Sequence, residues 1–463
     1  MIHINEEKIF NLLEDAKSAQ ASQVEAILDK AKSLKRLSLE ETAVLLAVND
    51  KVLLKKIFEA ATFVKNEIYG HRIVLFAPLY ISNICANACL YCAFKSDNSQ
   101  TKRKALNMNE IKSQVEWLLS RGHKRILMVA GEAAPSGVSN VEYYVDAVRA
   151  IYQAGVGLNK IKRVNVNCAP LTVEEFKKLK SSGIGTFQLF QETYHEETYR
   201  YVHPKGPKSD PNNRVDAVDR AFSAGIDDIG IGVLYGLYDW RFETLAMLMH
   251  VEHMESKLNV GPHTISVPRI EPAQGVDFTK NMPYQVSDGD FKKLVAILRL
   301  SVPYTGIILS TRETSQMRDE LISLGVSQIS AESRTSPGGY SSSDNNKNQD
   351  IQFTLGDQRS LDEVIGSLIK NNLIPSFCAA CYRKERTGEA FMKLAKPGTI
   401  KGKCSMNALI TLKEYLDDFA SAEVKKEGYE FITQAKKDLD KESRKMLEMF
   451  YGDIDKGKRD EFV

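Results

Sequence analysis

The chain of 463 residues has no run of about 18 consecutive apolar residues, so no part of it is written as a membrane-crossing helix. An excess of charge of one sign is missing too. The 62 basic and 60 acidic side chains leave a formal net charge of +2. The basic residues are dispersed among acids rather than gathered in a stripe, which argues against nucleic acid as a partner. The opening stretch from Met1 to Phe10 is acidic and amphipathic, with no basic region followed by an apolar one. It predicts no secretory signal and a cytoplasmic location. Cysteine is scarce, at seven residues. In a reducing compartment such thiols are read as metal-binding, catalytic or buried rather than as disulfides. Six of the seven fall in two groups.

At roughly 100–200 residues per domain, the length suggests two to four units. Residues 1–70 read as an N-terminal helical extension. Ile9, Phe10, Leu12 and Leu13, then Val24, Ile27 and Leu28, recur at helical spacing, and Ser38 with Glu41 forms a capping box. Beyond it, β-branched apolar runs alternate with amphipathic helices. The runs begin at Ile73, Arg125, Arg163, Thr186, Asp228, His263, Gly306 and Gln328. Eight such repeats predict an α/β fold, a (β/α)8 TIM-type barrel over residues 71–340. An open doubly wound sheet is the alternative, since closure is not written in a sequence. Gly122, Gly155, Gly183, Gly225 and Gly325 are expected to close helices in the left-handed conformation. Residues 338–358 are polar and rich in glycine and serine, and read as a linker. Residues 341–463 read as a C-terminal helical domain carrying the second cysteine group.

The loop after the first strand holds Cys85, Cys89 and Cys92, a C-x3-C-x2-C spacing. Three thiolates so close together are soft ligands suited to an iron–sulfur cluster. A [4Fe–4S] cube has four irons, so three cysteines leave one iron open to a substrate or cofactor. The loop lies at the C-terminal end of its strand, the face on which barrel enzymes place their chemistry. The competing reading, a zinc knuckle, lacks a fourth ligand, because the nearest histidine is His71 at the other end of the strand.

The triad resembles the radical S-adenosylmethionine (radical SAM) signature, including the aromatic Tyr91 before its last cysteine. That resemblance implies that the open iron chelates the amino and carboxylate groups of SAM and that reduction then yields a 5′-deoxyadenosyl radical. It also implies cofactor-binding roles for Tyr91, and for Gly131 and Glu132, which end the second strand and match the family's Gly-Glu element. Gln191 and Glu192 end the fourth strand, where the family holds the SAM ribose; a surface acid is the alternative for Glu192. Gly230 and Gly232 fall beside the expected adenine.

Cys378, Cys381 and Cys404 form the second group, spaced C-x2-C-x22-C. A thioredoxin-like pair would need a surrounding βαβ unit, and a zinc ribbon would need a fourth ligand. Three thiolates again leave one iron of a cube open. Together with both triads, the stretches FQETYH, GVLYGLYDW, GPHTISVPR and CYRKERTGEAFM resemble the HydG family, radical SAM tyrosine lyases that mature [FeFe]-hydrogenases. The resemblance runs from about Glu41 to Thr411. The tyrosine lyases of thiazole synthesis lack the second triad.

This resemblance implies two iron–sulfur clusters: a radical SAM [4Fe–4S] cluster, and an auxiliary [4Fe–4S] cluster with an extra iron at the bottom of the barrel. His263 is then a ligand to the extra iron; by position alone it reads equally as a turn histidine. The implied reaction cleaves L-tyrosine to p-cresol and dehydroglycine, which becomes carbon monoxide and cyanide. An Fe(CO)2(CN) unit would leave on cysteine toward other hydrogenase maturation proteins. Arg269 and Arg312, near the ends of the sixth and seventh strands, carry guanidinium forks suited to the carboxylate of tyrosine or of SAM, with salt bridging as the alternative use. Ser310 and Ser330 lie where they could reach polar substrate atoms. Cys168 reads as a buried structural thiol, and His250 and His253 as packing or surface residues. The rival functions are a radical SAM lyase for another aromatic amino acid and a non-catalytic iron–sulfur scaffold.

Overall fold

The computed structural model describes residues 2–341 and 350–463; the middle of the expected linker, 342–349, lies outside them. Four helices precede the first strand: α1 (Glu6–Asp15), α2 (Ala21–Lys32), α3 (Leu39–Ala47) and α4 (Lys51–Tyr69). At the start of α3 the Ser38 hydroxyl accepts from the Glu41 N–H, and the Glu41 carboxylate accepts from the Ser38 N–H at 2.7 Å. This is the reciprocal pair that the S-x-x-E pattern specifies.

Eight strands follow: β1 (Arg72–Ser82), β2 (Arg125–Ala130), β3 (Arg163–Asn167), β4 (Phe187–Glu192), β5 (Ile229–Val233), β6 (Thr264–Ser266), β7 (Gly306–Leu309) and β8 (Gln328–Ser330). All pairings are parallel and follow chain order, and β1 pairs with both β8 and β2. The sheet therefore closes into a barrel, and the open-sheet alternative is excluded. Around it run α5 (Met108–Ser120), α6 (Asn140–Gln153), α7 (Val173–Ser181), α8 (Glu196–Val202), α9 (Pro211–Val215), α10 (Ala217–Ser223), α11 (Trp240–Leu258), α12 (Asp288–Ser301) and α13 (Ser315–Leu324). Phe291, Leu294, Val295 and Leu298 of α12 are buried, as are Ile57, Ala61, Val64 and Ile68 of α4, which packs on it. Four of the five helix-ending glycines take positive φ. Gly155 does not, because α6 ends one residue earlier, at Ala154 in extended backbone.

β1 is buried along all eleven residues, as expected for a parallel strand covered on both faces. It is also longer than its neighbours. Residues Ala77 to Ser82 pair with β2, whereas Arg72 to Val74 pair with a ninth parallel strand, β9 (Ile374–Ser376). β9 is absent from the sequence expectation, which read this segment as helical. Three residues containing Pro375 show no period, and proline is confined to sheet edges. Around β9 lie α14 (Leu361–Lys370), α15 (Ala380–Arg383), α16 (Gly388–Ala395), α17 (Ile400–Asp418), α18 (Ala422–Ala435) and α19 (Lys441–Asp455). Among the described residues no helix is long and apolar enough to cross a membrane.

Candidate active site and a second thiol-lined chamber

The loop after β1 is held by its own polar groups. The Asn83 side-chain amide donates to the Lys102 carbonyl at 2.9 Å, and Arg103 donates to the carbonyls of Asn83 (3.0 Å) and Phe94 (2.8 Å). A Cβ on Gly131 would lie 2.3 Å from the Ile84 carbonyl oxygen, so glycine alone lets the end of β2 approach this loop. Cys85, Cys89 and Cys92 share this corner. Burial pushes the Cys89 thiol up to about 12, with the charges of Cys92 and Cys85 adding to it, and burial and Cys85 also raise Cys92. Such thiols ionise when a metal supplies the missing positive charge. Among the described residues no three His, Cys, Asp or Glu side chains converge tightly enough for one metal ion. A zinc ion gathers its sulfurs at about 2.3 Å from one centre, whereas a cube seats each thiolate on a different iron. Three soft thiolate donors from one loop are the donor chemistry that an iron–sulfur cluster takes.

Behind the loop lies a buried charge network. Glu132 accepts from Arg214 Nη1 at 2.7 Å and from Asn87 Nδ2 at 2.8 Å. Glu192 accepts from Lys208 Nζ at 2.6 Å and lies 3.8 Å from Arg214 Nη2. Burial works against the Glu132 charge, but Arg214 and Lys208 outweigh it and hold the carboxyl below its usual range. Glu192 adopts φ 72°, and the β4–β5 register shifts between Phe190 and Glu192. Strain of this kind gathers at functional sites, where the surroundings fix it. The pleat separates two residues expected to act together: Gln188, Phe190 and Glu192 face the lumen, and Gln191 faces away. Gln191 instead donates to the Pro211 carbonyl at 3.3 Å, beside a surface pocket lined by Thr193 and Tyr199. The Tyr91 hydroxyl is 2.8 Å from His203 Nε2.

Cys92, Tyr91 and Glu192 open onto a chamber of about 1130 Å³, counted to its mouth, at the C-terminal ends of the strands. Its walls are apolar at Phe76, Leu127, Val129, Phe190 and Leu234 and polar at Ser310, Arg312 and Ser330. Among the described residues, the lining atoms Ser330 Oγ, Ser333 Oγ, Thr335 Oγ1 and Gln188 Oε1 are buried without a hydrogen-bond partner. They are ready for a polar ligand. Arg312 stacks on the Phe353 ring, 3.3 Å to the centroid. Arg269 is not brought to the chamber. Its fork is taken by Glu313 (Nε to Oε1, 2.9 Å) and Asp288 (2.8 Å). Gly230 and Gly232 pack against their strand neighbours, where a Cβ would meet Thr264 Oγ1 at 2.5 Å and Phe190 Cδ1 at 2.8 Å. Cys168 is buried, His250 is buried 2.7 Å from the Tyr194 hydroxyl, and His253 pairs with Asp219 at 3.0 Å.

A second chamber of about 510 Å³ lies at the opposite end of the barrel, lined by Arg72, Val74, Arg125, His263, Gln328, Cys378, Cys381, Tyr382, Phe391 and Cys404. Strand β9 delivers Cys378, α15 carries Cys381, and the first turns of α17 carry Cys404. His263, just before β6, stacks against Phe391 with ring centroids 4.2 Å apart. Its Nδ1 is buried without a hydrogen bond among the described residues, 3.5 Å from Asp228. Burial lowers its pKa and keeps the ring neutral, the form that ligates metals. Burial also pushes Cys381 up to about 12, with Cys404 and Cys378 adding, which favours the neutral thiol. At about 3.3 Å per residue along β1, Val74 below and Tyr80 above are about 20 Å apart.

Residues 79–249 match the radical SAM superfamily, and residues 266–374 match the Biotin and Thiamin Synthesis associated domain. A crystal structure of HydG, a maturase of the [FeFe]-hydrogenase, superposes with a TM-score of 0.95 at 48% identity, covering 99% of each chain. The chain belongs to the HydG family. HydG from Carboxydothermus hydrogenoformans superposes with a TM-score of 0.84 at 41% identity, covering 96% of this chain and 97% of its own. The 2-iminoacetate synthase of Escherichia coli (strain K12) is 30% identical over 352 residues, 76% of this chain and 89% of the relative. As a HydG-family member the chain is a radical SAM enzyme, and SAM and a [4Fe–4S] cluster come with that membership. Arg214, Lys208, Asn87, Arg72 and Arg125 escaped the sequence reading. No local motif marks them, and only their tertiary partners give them a role.

Proposed function

We propose that the chain is the tyrosine lyase of an [FeFe]-hydrogenase maturation system, cleaving L-tyrosine to p-cresol and dehydroglycine in the upper chamber. Dehydroglycine then supplies carbon monoxide and cyanide to an iron at the lower chamber. The observation that carries this reading is one barrel with three cysteines at each end: Cys92 of the upper set opens onto a chamber near a Gly-Glu turn, and the lower set lines a second chamber beside a largely buried histidine. Cys85, Cys89 and Cys92 would hold the radical SAM cluster, and Tyr91, Gly131, Glu132 and Glu192 would hold SAM. With SAM bound, that cluster supplies a carbon radical on reduction. The protein does the rest. The Arg312 fork receives the substrate carboxylate, the Ser310 and Ser330 hydroxyls reach polar substrate atoms, and the apolar walls hold the ring and exclude water.

Gln191 acts indirectly, steadying the start of α9, the helix that carries Arg214. Arg269 likewise acts from outside the chamber, fixing Glu313. Below, Cys378, Cys381 and Cys404 would hold the auxiliary cluster and His263 the extra iron. The iron with its diatomic ligands is cargo, L-cysteine its carrier, and other maturation proteins its receivers in the cytoplasm. Residues 1–70 then serve as a cover, 71–340 as the radical barrel and 341–463 as the auxiliary-cluster unit. Anaerobic reconstitution followed by L-tyrosine, SAM and dithionite is expected to yield p-cresol and 5′-deoxyadenosine. A sample showing both cluster signals by EPR but no p-cresol would overturn the reading.

A further inference from the structure

We propose that Glu271 holds the α-ammonium group of the amino-acid substrate and takes one proton from it, so that the hydrogen atom is removed from a neutral amine. The inference rests on the tyrosine-lyase reading above. Among the described residues, two carboxylates line the upper chamber, Glu192 and Glu271. Glu192 is spent on Lys208 and Arg214. Glu271, which follows Ile270 on the chamber wall, has no hydrogen-bond or ion-pair partner among the described residues.

The charges around Glu271 are Glu313, Arg312 and Arg269. Glu313 is held by Arg269, so Arg312 and Glu271 are the neighbouring opposite charges left facing the cavity. An amino acid presents a carboxylate and an ammonium on one carbon, and a guanidinium beside a carboxylate complements that pair. The aromatic side chain is then left to the apolar walls.

The chemistry requires the proton to leave. An α-amino group is mostly protonated at neutral pH, and an ammonium nitrogen has no lone pair to stabilise the radical left by hydrogen-atom loss. In the balanced step, one N–H proton moves to the Glu271 carboxylate, forming O–H and freeing the nitrogen lone pair. A second N–H bond then breaks homolytically and its hydrogen atom forms a C–H bond on the carbon radical. No oxidant beyond that radical is consumed. Burial and the neighbouring Glu313 push the Glu271 carboxyl up to about 7, with Arg312 and Arg269 pulling the other way. A base is most effective with its pKa near the working pH.

The test uses reconstituted holoenzyme with L-tyrosine, following p-cresol and 5′-deoxyadenosine across pH. The wild-type rate is expected to rise with pH through about 7, as Glu271 loses its proton. Glu271→Gln is expected to slow p-cresol formation at neutral pH by roughly 10²-fold, to lose that limb and to recover as rising pH deprotonates the substrate amine. Recovery at high pH is a readout that a merely structural role would not produce. A Glu271→Gln enzyme with a near-wild-type rate and an unchanged limb would overturn the proposal. If that variant fails to load iron, Glu271→Asp decides: a displaced limb supports the role, and an unchanged rate and limb overturn it. Wild-type enzyme that cleaves SAM but makes no p-cresol would instead sink the lyase reading itself.

Discussion

The upper thiols come from a single loop, Cys85 to Cys92, whereas the lower thiols come from the end of β9, α15 and α17 (Cys378 just after the strand) and meet a histidine from the approach to β6. Their electrostatic settings differ as much. Above, two partly exposed carboxylates and two buried cations alternate, a surface suited to a ligand that carries both signs. Below, Arg72 and Arg125 line the chamber and Arg163 stacks on Tyr382, 3.0 Å to the ring centroid, with Asp228 as the nearby acid. That surface suits thiolates and anionic cargo. A local loop can bind its cluster with little help from the rest of the chain, but the lower set exists only once the barrel has closed and β9 has docked.

The comparison can be broken from either end. The largest effect is expected from Cys89→Ser, which should remove about four irons per chain and abolish 5′-deoxyadenosine and p-cresol together, as read by iron assay and product chromatography. Next, Cys378→Ser with Cys381→Ser should remove the lower EPR signal and the cyanide and carbon monoxide yields while sparing p-cresol. Loss of p-cresol as well would mean that the two ends are not separable. Arg214→Ala strips both Glu132 and Glu192 of their buried partner. It should cost about 3–5 kcal/mol of stability, visible as a lower Tm together with weaker SAM binding. His263→Ala should spare p-cresol and SAM cleavage and reduce only the extra iron, measured as a lower iron count with the cube signal retained. The smallest effect is expected from Gln352→Leu. It removes the bond from Tyr80 (2.7 Å) and the contact to Cys92 (3.6 Å), and should cost about 1 kcal/mol by denaturant unfolding.

The eight barrel strands were legible because buried parallel strands are continuous β-branched runs separated by amphipathic helices. β9 was not, because three residues with a proline carry no period. At the site, the C-x3-C-x2-C loop and the Gly131–Glu132 turn were readable as short contiguous patterns. Gln191 and Glu192 part at the irregular end of β4, where Glu192 lines the chamber and Gln191 donates to the Pro211 carbonyl. Arg269 and Arg312 looked equivalent as strand-end arginines, and the positions of Glu313 and Asp288, which take the Arg269 fork, distinguish them. Arg214, on a five-residue helix between β4 and β5, had no signature at all.

The amino-acid order alone determined that strands and helices alternate eight times and that thiols suited to iron occur in two sets, because both depend on spacing along the chain. Tertiary structure decided that the sheet closes, that β9, α15 and α17 gather the second set at the far mouth beside His263, and that among the described residues Glu271 is left unpaired facing the chamber while Glu132 and Glu192 are not. These outcomes depend on which buried charges and backbone edges meet across long sequence separations, and burial makes a group left without a partner costly enough to mark a place for a ligand.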